Sequence, residues 1–156
     1  SEVTNDYFYL MQFWQGSPYP PIAGLRIGRG TARTVTVMTR SSPQDKGQEV
    51  TTFSFEPGTW VPLVLGLTVD PDGTGKVDVW RSGKLVAAWQ GKMGYGSAYR
   101  ANDWYRLKYG IYKGNEPDRS FEVKFRNLRV STKPVGVTPV RQKPYAGETT
   151  GGWRTP

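Results

Sequence analysis

The side chains best equipped for chemistry lie in "WYRLKYGIYKG", residues 104–114. In an extended strand, successive side chains point to opposite faces. One face then carries Trp104, Arg106, Lys108 and Tyr112, and the other carries Tyr105, Leu107, Tyr109 and Ile111. Two permanent cations can neutralise and hydrogen-bond an anion, an indole can cover the flat face of a ligand, and a phenol can pass a proton. The plainer alternative is a two-sided strand whose basic side is merely solvated. Trp14 is either a further stacking ring or a core residue.

Composition narrows the ligand. The chain has 156 residues, with 21 Lys and Arg against 13 Asp and Glu, for a net charge of +8. That length suits one domain with a sizeable core, and that charge attracts polyanions: nucleic acid, an anionic membrane surface or an acidic polysaccharide. Nucleic acid is the weaker candidate. Aromatics beside Lys and Arg can stack on single-stranded bases, but no RNA-recognition signature, zinc finger or basic helix is written in the chain. No apolar run is long enough to span a membrane. Histidine and cysteine are both absent, which removes disulfides, thiolate chemistry and the commonest zinc and iron ligands. No cofactor is expected. Asp70 and Asp72 in "DPDGTG" look faintly like the start of a calcium loop. Arg81 stands where such a loop needs its bidentate acid, so a hairpin turn is the expectation, with a structural calcium ion left open.

The elements that position these residues are short and extended. Strand-like runs cover residues 7–15, 22–28, 32–40, 49–55, 60–69, 76–81, 84–89, 105–113 and 120–130, separated by clusters of Gly, Pro, Asp and Asn. Strands without intervening helices predict an all-β antiparallel sandwich or barrel. In 120–130, Phe121, Val123 and Phe125 alternate with Glu122, Lys124 and Arg126, and the alternation inverts near Asn127, so a bulge or strand end is expected there. Val77 and Val79 share a face opposite Asp78 and Trp80, which leaves Trp80 free to meet a ligand. The Gly-rich connection 91–104 brings Tyr95, Tyr99 and Arg100 as expected rim contacts, or is a surface loop. Residues 1–132 read as the sandwich. Residues 133–156, rich in Pro, Gly and Thr, read as an extended C-terminal tail that orders only against another surface, so protein neighbours are expected partners.

"TWVPLVLGLTVDPDGTGKVDVWRSGKLVAAW", followed by "YRLKYGIYKG", resembles the heparin-lyase-like and glucuronan-lyase-like polysaccharide lyases. Their pattern is roughly Trp, a hydrophobic strand, "DGxGxVxVWxxGxLV" and then "KxGxY", met here by Lys108, Gly110 and Tyr112. "YFYLMQFWQG" resembles their earlier strand with a groove-facing glutamine, which makes Gln12 that residue. The resemblance covers residues 7–130 and implies a concanavalin-A-like jelly roll that binds glycans on its concave sheet. Such lyases carry further strands ahead of the glutamine, so a shortened N-terminus is expected. They also commonly place a histidine two residues beyond it, where this chain has Trp14.

The resemblance implies β-elimination from a uronate glycan. Gln12 with Arg106 or Lys108 would neutralise the carboxylate, and Tyr112 would act as acid and as base, with Lys108 favouring its phenolate. Trp104, Trp14, Trp80, Tyr99 and Arg100 would hold the sugar rings and rim the site. Binding without cleavage uses the same residues. The rival reading is a non-catalytic structural or adhesive protein that reuses the sandwich in a virion or a cell-surface layer. On either reading the expected setting is extracellular, or the surface of a virion or cell.

Overall fold

A computed structural model of the chain describes residues 7–28, 33–99, 104–112 and 122–133. Eight strands follow in order: β1 (Tyr7–Trp14), β2 (Ala23–Gly28), β3 (Thr34–Thr39), β4 (Gln48–Ser54), β5 (Leu63–Thr68), β6 (Asp70–Arg81), β7 (Lys84–Met93) and β8 (Arg106–Tyr112). They form two antiparallel sheets, five strands in the order β4-β3-β2-β1-β8 and three in the order β5-β6-β7. The chain passes from one sheet to the other between β4 and β5 and returns between β7 and β8. This is the all-β sandwich expected from alternation and turn chemistry.

The alternation explains the layers. In β3, "TVTVMT", Val35 and Val37 are buried while Thr34 and Thr36 face away. The core is closed by Ile22, Ala23, Leu25, Val35 and Val37 of the larger sheet against Val77, Val79 and Met93 of the smaller one. Full burial of such a side chain contributes roughly 1.5–3 kcal/mol. The small sheet is too narrow to cover the large one. β4 lies against β7, and the opposite edge strand, β8, is left half covered, with Tyr105 at 39% and Tyr109 at 53% exposed.

The segment expected as a ninth strand runs along that side. Residues 122–130 form no strand, because their backbone joins no ladder among the described residues. The segment is anchored by side chains instead. Phe125 meets Tyr109 edge-on at 5.8 Å, and the Arg126 guanidinium lies 4.1 Å over the Trp60 ring. Asn127 has φ 53°, a left-handed kink at the point where the alternation inverts. The tail from residue 134 onward, and Arg100, lie outside the described residues.

Two other boundaries move. The β5–β6 hairpin closes at Thr68↔Lys76, but Asp70 pairs again with Met93, so residues 70–75 stay in the sheet as an irregularity. The Asp70 carboxylate accepts from the Asp72 N–H at 2.8 Å, from the Thr74 N–H at 3.2 Å and from the Thr74 hydroxyl. Those hydrogen bonds hold its carboxyl below its ordinary value, the Thr74 hydroxyl contributing most. β7 also runs on to Met93, because Gly75 and Gly91 face each other without side chains and let the strands continue.

Candidate functional site

The register of the five-stranded sheet sorts the chemistry-bearing residues. Directly paired residues share a face, and β1 meets β8 as Trp14↔Arg106, Gln12↔Lys108, Phe13↔Leu107, Met11↔Tyr109 and Tyr9↔Tyr112. Across β2, Gln12 pairs with Gly24 and Tyr9 with Arg26. Leu25 and Ala23 face the core, so Gln12, Trp14, Arg106, Lys108 and Tyr112 all lie on the outer face, away from the smaller sheet.

A bulge makes this possible. Three positions separate Tyr9 from Gln12, which in a regular strand would put them on opposite faces. The register shift between Tyr9 and Met11 inserts Leu10 as an extra residue against β2. Tyr7 and Tyr9 are thereby turned to the same side as Gln12 and Trp14.

Cations and rings interleave on this face. The Lys108 ammonium sits 3.8 Å over the Trp14 ring, and the Arg106 guanidinium 4.1 Å over the Trp104 ring. Trp14 is fixed by its indole N–H, which donates to the Tyr19 carbonyl at 2.7 Å. Since Trp14 lies on the Arg106 side of Gln12, the ammonium leans away from Tyr112. Gly110 takes φ 137°, and a methyl built there would lie 3.7 Å from Tyr112 Cε2. The Tyr112 ring therefore folds back over Gly110, and its hydroxyl donates to the Tyr109 carbonyl at 3.3 Å.

Sequence reading missed a second cationic group. Arg26 stacks over Tyr7 at 4.2 Å and donates to the Tyr9 hydroxyl at 3.0 Å and the Lys46 carbonyl at 2.9 Å. Arg40, only 6% exposed, donates to the same hydroxyl at 3.3 Å and to the carbonyls of Pro21, Asp45 and Lys46. Together they pin the loop of residues 40–47 over Met38 at the border of the face. A pocket of about 310 Å³ opens behind that loop, lined by Arg40, Lys46, Lys92 and Asp45. Burial pushes the Tyr7 phenol above its ordinary value, Tyr9 adds to the shift, and the Arg26 charge opposes it. The stripe Gly24, Arg26, Gly28 is visible in the sequence, but the convergence of Arg26 and Arg40 on Tyr9 needs both the bulge and the loop.

Other expected contacts fall elsewhere. Trp80 lies on the outside of the smaller sheet, opposite Leu85 and over Gly66, across the sandwich from Lys108. The structure does not bring it to the other site residues. Tyr95 is 2% exposed, so it is no rim residue. Its backbone is clamped by Gln15, which both accepts from the Tyr95 N–H at 2.8 Å and donates to its carbonyl at 2.9 Å. Tyr99 ends a short 3-10 turn, Ser97–Tyr99, packed edge-on with Tyr19 and Tyr95. The Tyr19 hydroxyl donates to its carbonyl, so Tyr99 buttresses the loop that holds Trp14.

Among the described residues no three His, Cys, Asp or Glu side chains cluster as a metal site would require. No helix of the described residues is long and apolar enough to cross a membrane. A family model described as polysaccharide lyase matches residues 2–132. No curated protein and no solved structure matches the chain.

Proposed function

Because the chain belongs to the polysaccharide lyase family, we propose that it takes an acidic polysaccharide on the outer face of the five-stranded sheet and cleaves it by β-elimination at a uronate. The observation that carries this is the β1–β8 register, which sets an amide, two cations and a phenol on one surface. Lys108 and Arg106 supply charge-assisted hydrogen bonds to the carboxylate, and the Gln12 amide supplies a neutral donor beside them. Neutralising that carboxylate makes the adjacent C–H more acidic.

Tyr112 then moves the proton. Its phenolate takes the hydrogen from the carbon bearing the carboxylate, and the electron pair forms the new C=C bond. The bond to the glycosidic oxygen breaks, and the phenol returns the proton to that oxygen. One proton enters and one leaves, so Tyr112 ends as it began. Trp14 and Trp104, each already beneath a cation, offer ring faces to the C–H surfaces of the sugars.

The test is incubation with a panel of acidic polymers, following the ultraviolet absorbance of the unsaturated uronate. Tyr112→Phe should abolish product while leaving retention on an immobilised acidic polymer intact. Retention without product from the wild-type chain, at every pH tried, would defeat cleavage. It would support the second reading, a binding or adhesive module on the same face. That reading is favoured by the Tyr112 hydroxyl being engaged with the Tyr109 carbonyl and by the absence of histidine from the chain.

A further inference from the structure

Resting on the polysaccharide reading, we infer that the polymer is mixed: a uronate seated over β8, β1 and β2, followed over β3 and β4 by a neutral, hydroxyl-rich sugar. The charge on the outer face is divided by strand. β8 and β2 present Arg106, Lys108 and Arg26, with the β1 rings between them. β3 and β4 present Thr36, Thr52 and Ser54, and their one charged residue on this face is Glu49, paired with Met38. Thr52, Ser54 and Glu49 are exposed.

The division runs through single rows of the sheet. The row Tyr112–Tyr9–Arg26 continues into Thr36 and Thr52. The two threonine hydroxyls lie 2.7 Å apart. Strands sit about 4.8 Å apart, so the Thr52 backbone lies about 10 Å from that of Arg26 across the row, and the Arg26 guanidinium is turned to the Tyr9 hydroxyl and the Lys46 carbonyl. At physiological salt the screening length is about 8 Å, so the guanidinium gives little help to a second carboxylate placed there. That carboxylate would lose water, find no cation on β3 or β4 and face Glu49. A sugar hydroxyl donates and accepts, as threonine hydroxyls do, and finds matched partners. The bordering loop adds Asp45 and Lys46, whose charges offset one another, and Arg40, which is 6% exposed and spends its donors on the Tyr9 hydroxyl and the carbonyls of Pro21, Asp45 and Lys46.

The experiment measures affinity for two length-matched oligosaccharides at fixed physiological ionic strength, one all-uronate and one alternating uronate with neutral hexose. The alternating one should bind about tenfold more tightly although it carries half the charge, the difference of about one charge-assisted contact. Thr52→Lys, remote from Tyr112, should tighten the all-uronate ligand and erase the preference. A wild-type preference for the all-uronate ligand, or a ratio unmoved by Thr52→Lys, overturns this inference and leaves the polysaccharide reading standing. Binding of neither ligand overturns both.

Discussion

Replacing Arg40 by methionine keeps most of the side chain's volume and removes a buried cation. The wild-type guanidinium donates to Pro21 O at 2.8 Å, Asp45 O at 2.8 Å, Lys46 O at 3.1 Å and the Tyr9 hydroxyl at 3.3 Å. The four bonds are not equivalent. The carbonyls of Asp45 and Lys46 belong to exposed residues and can turn to water, and Tyr9 keeps Arg26 as a donor. The carbonyl of Pro21, a buried residue, has no such recourse. A hydrogen bond to a charged group contributes about 1.5–3 kcal/mol, and an orphaned buried acceptor costs about as much again. The guanidinium's own desolvation offsets part of this. We expect a net loss of about 3 kcal/mol, read by urea denaturation as a fall in midpoint of roughly 1.5 M for a slope of about 2 kcal/mol per molar. The control is Arg33→Met, which breaks the Arg33–Glu56 pair at 3.3 Å between side chains 61% and 75% exposed. It should cost no more than about 0.5 kcal/mol. Equal shifts in the two variants would refute the claim that Arg40 organises the border of the sheet.

The Tyr95 phenol is pushed up, chiefly by burial and against the opposing charge of Arg40. Its folded value lies above the unfolded value near 10, so its contribution is fully present below about pH 10 and is lost as pH rises through the folded value. Thermal melts should show an alkaline fall in stability that Tyr95→Phe flattens. Gly24→Ala would push a methyl to 2.8 Å from both the Met11 carbonyl and the Tyr9 ring, and should destabilise the fold by about 1–3 kcal/mol on the same urea assay. Lys108→Ala should weaken retention on an anionic glycan column more than Lys84→Ala does, since Lys84 lies in the other sheet; equal losses would mean diffuse charge rather than a site.

Much of this architecture is written in local alternation. β3 and β8 each carry a period of two that a reader can see, and the turn clusters bound most strands. Residues 122–130 show why alternation alone misleads. Up to Arg126 their pattern is as clean as that of β8, yet a strand also needs a neighbour to take its backbone hydrogen bonds, and that is a tertiary fact. The same limit applied at the site. That Arg106, Lys108 and Tyr112 share a face was legible because they share one strand, and Gln12 entered as a candidate beside them through the resemblance. Tyr9 was not, because the Leu10 bulge reverses the parity from which its face would be counted. Trp80 was legible as facing away from Val77 and Val79, but alternation cannot say to which side of a two-sheet molecule that direction leads.

Among the described residues β8 carries its cations and its phenol at the edge of the five-stranded sheet. Among the described residues it is laddered to β1 alone, and its underside is partly bare at Tyr109. A strand tethered along one flank behaves like a cantilever, stiff at the seam and yielding beyond it. A polymer lying across β8 and β1 would add a second tether, so seating the ligand and steadying β8 would become one event. Amide exchange in residues 106–112 should then slow more on loading than anywhere in β2, although both strands belong to the same sheet.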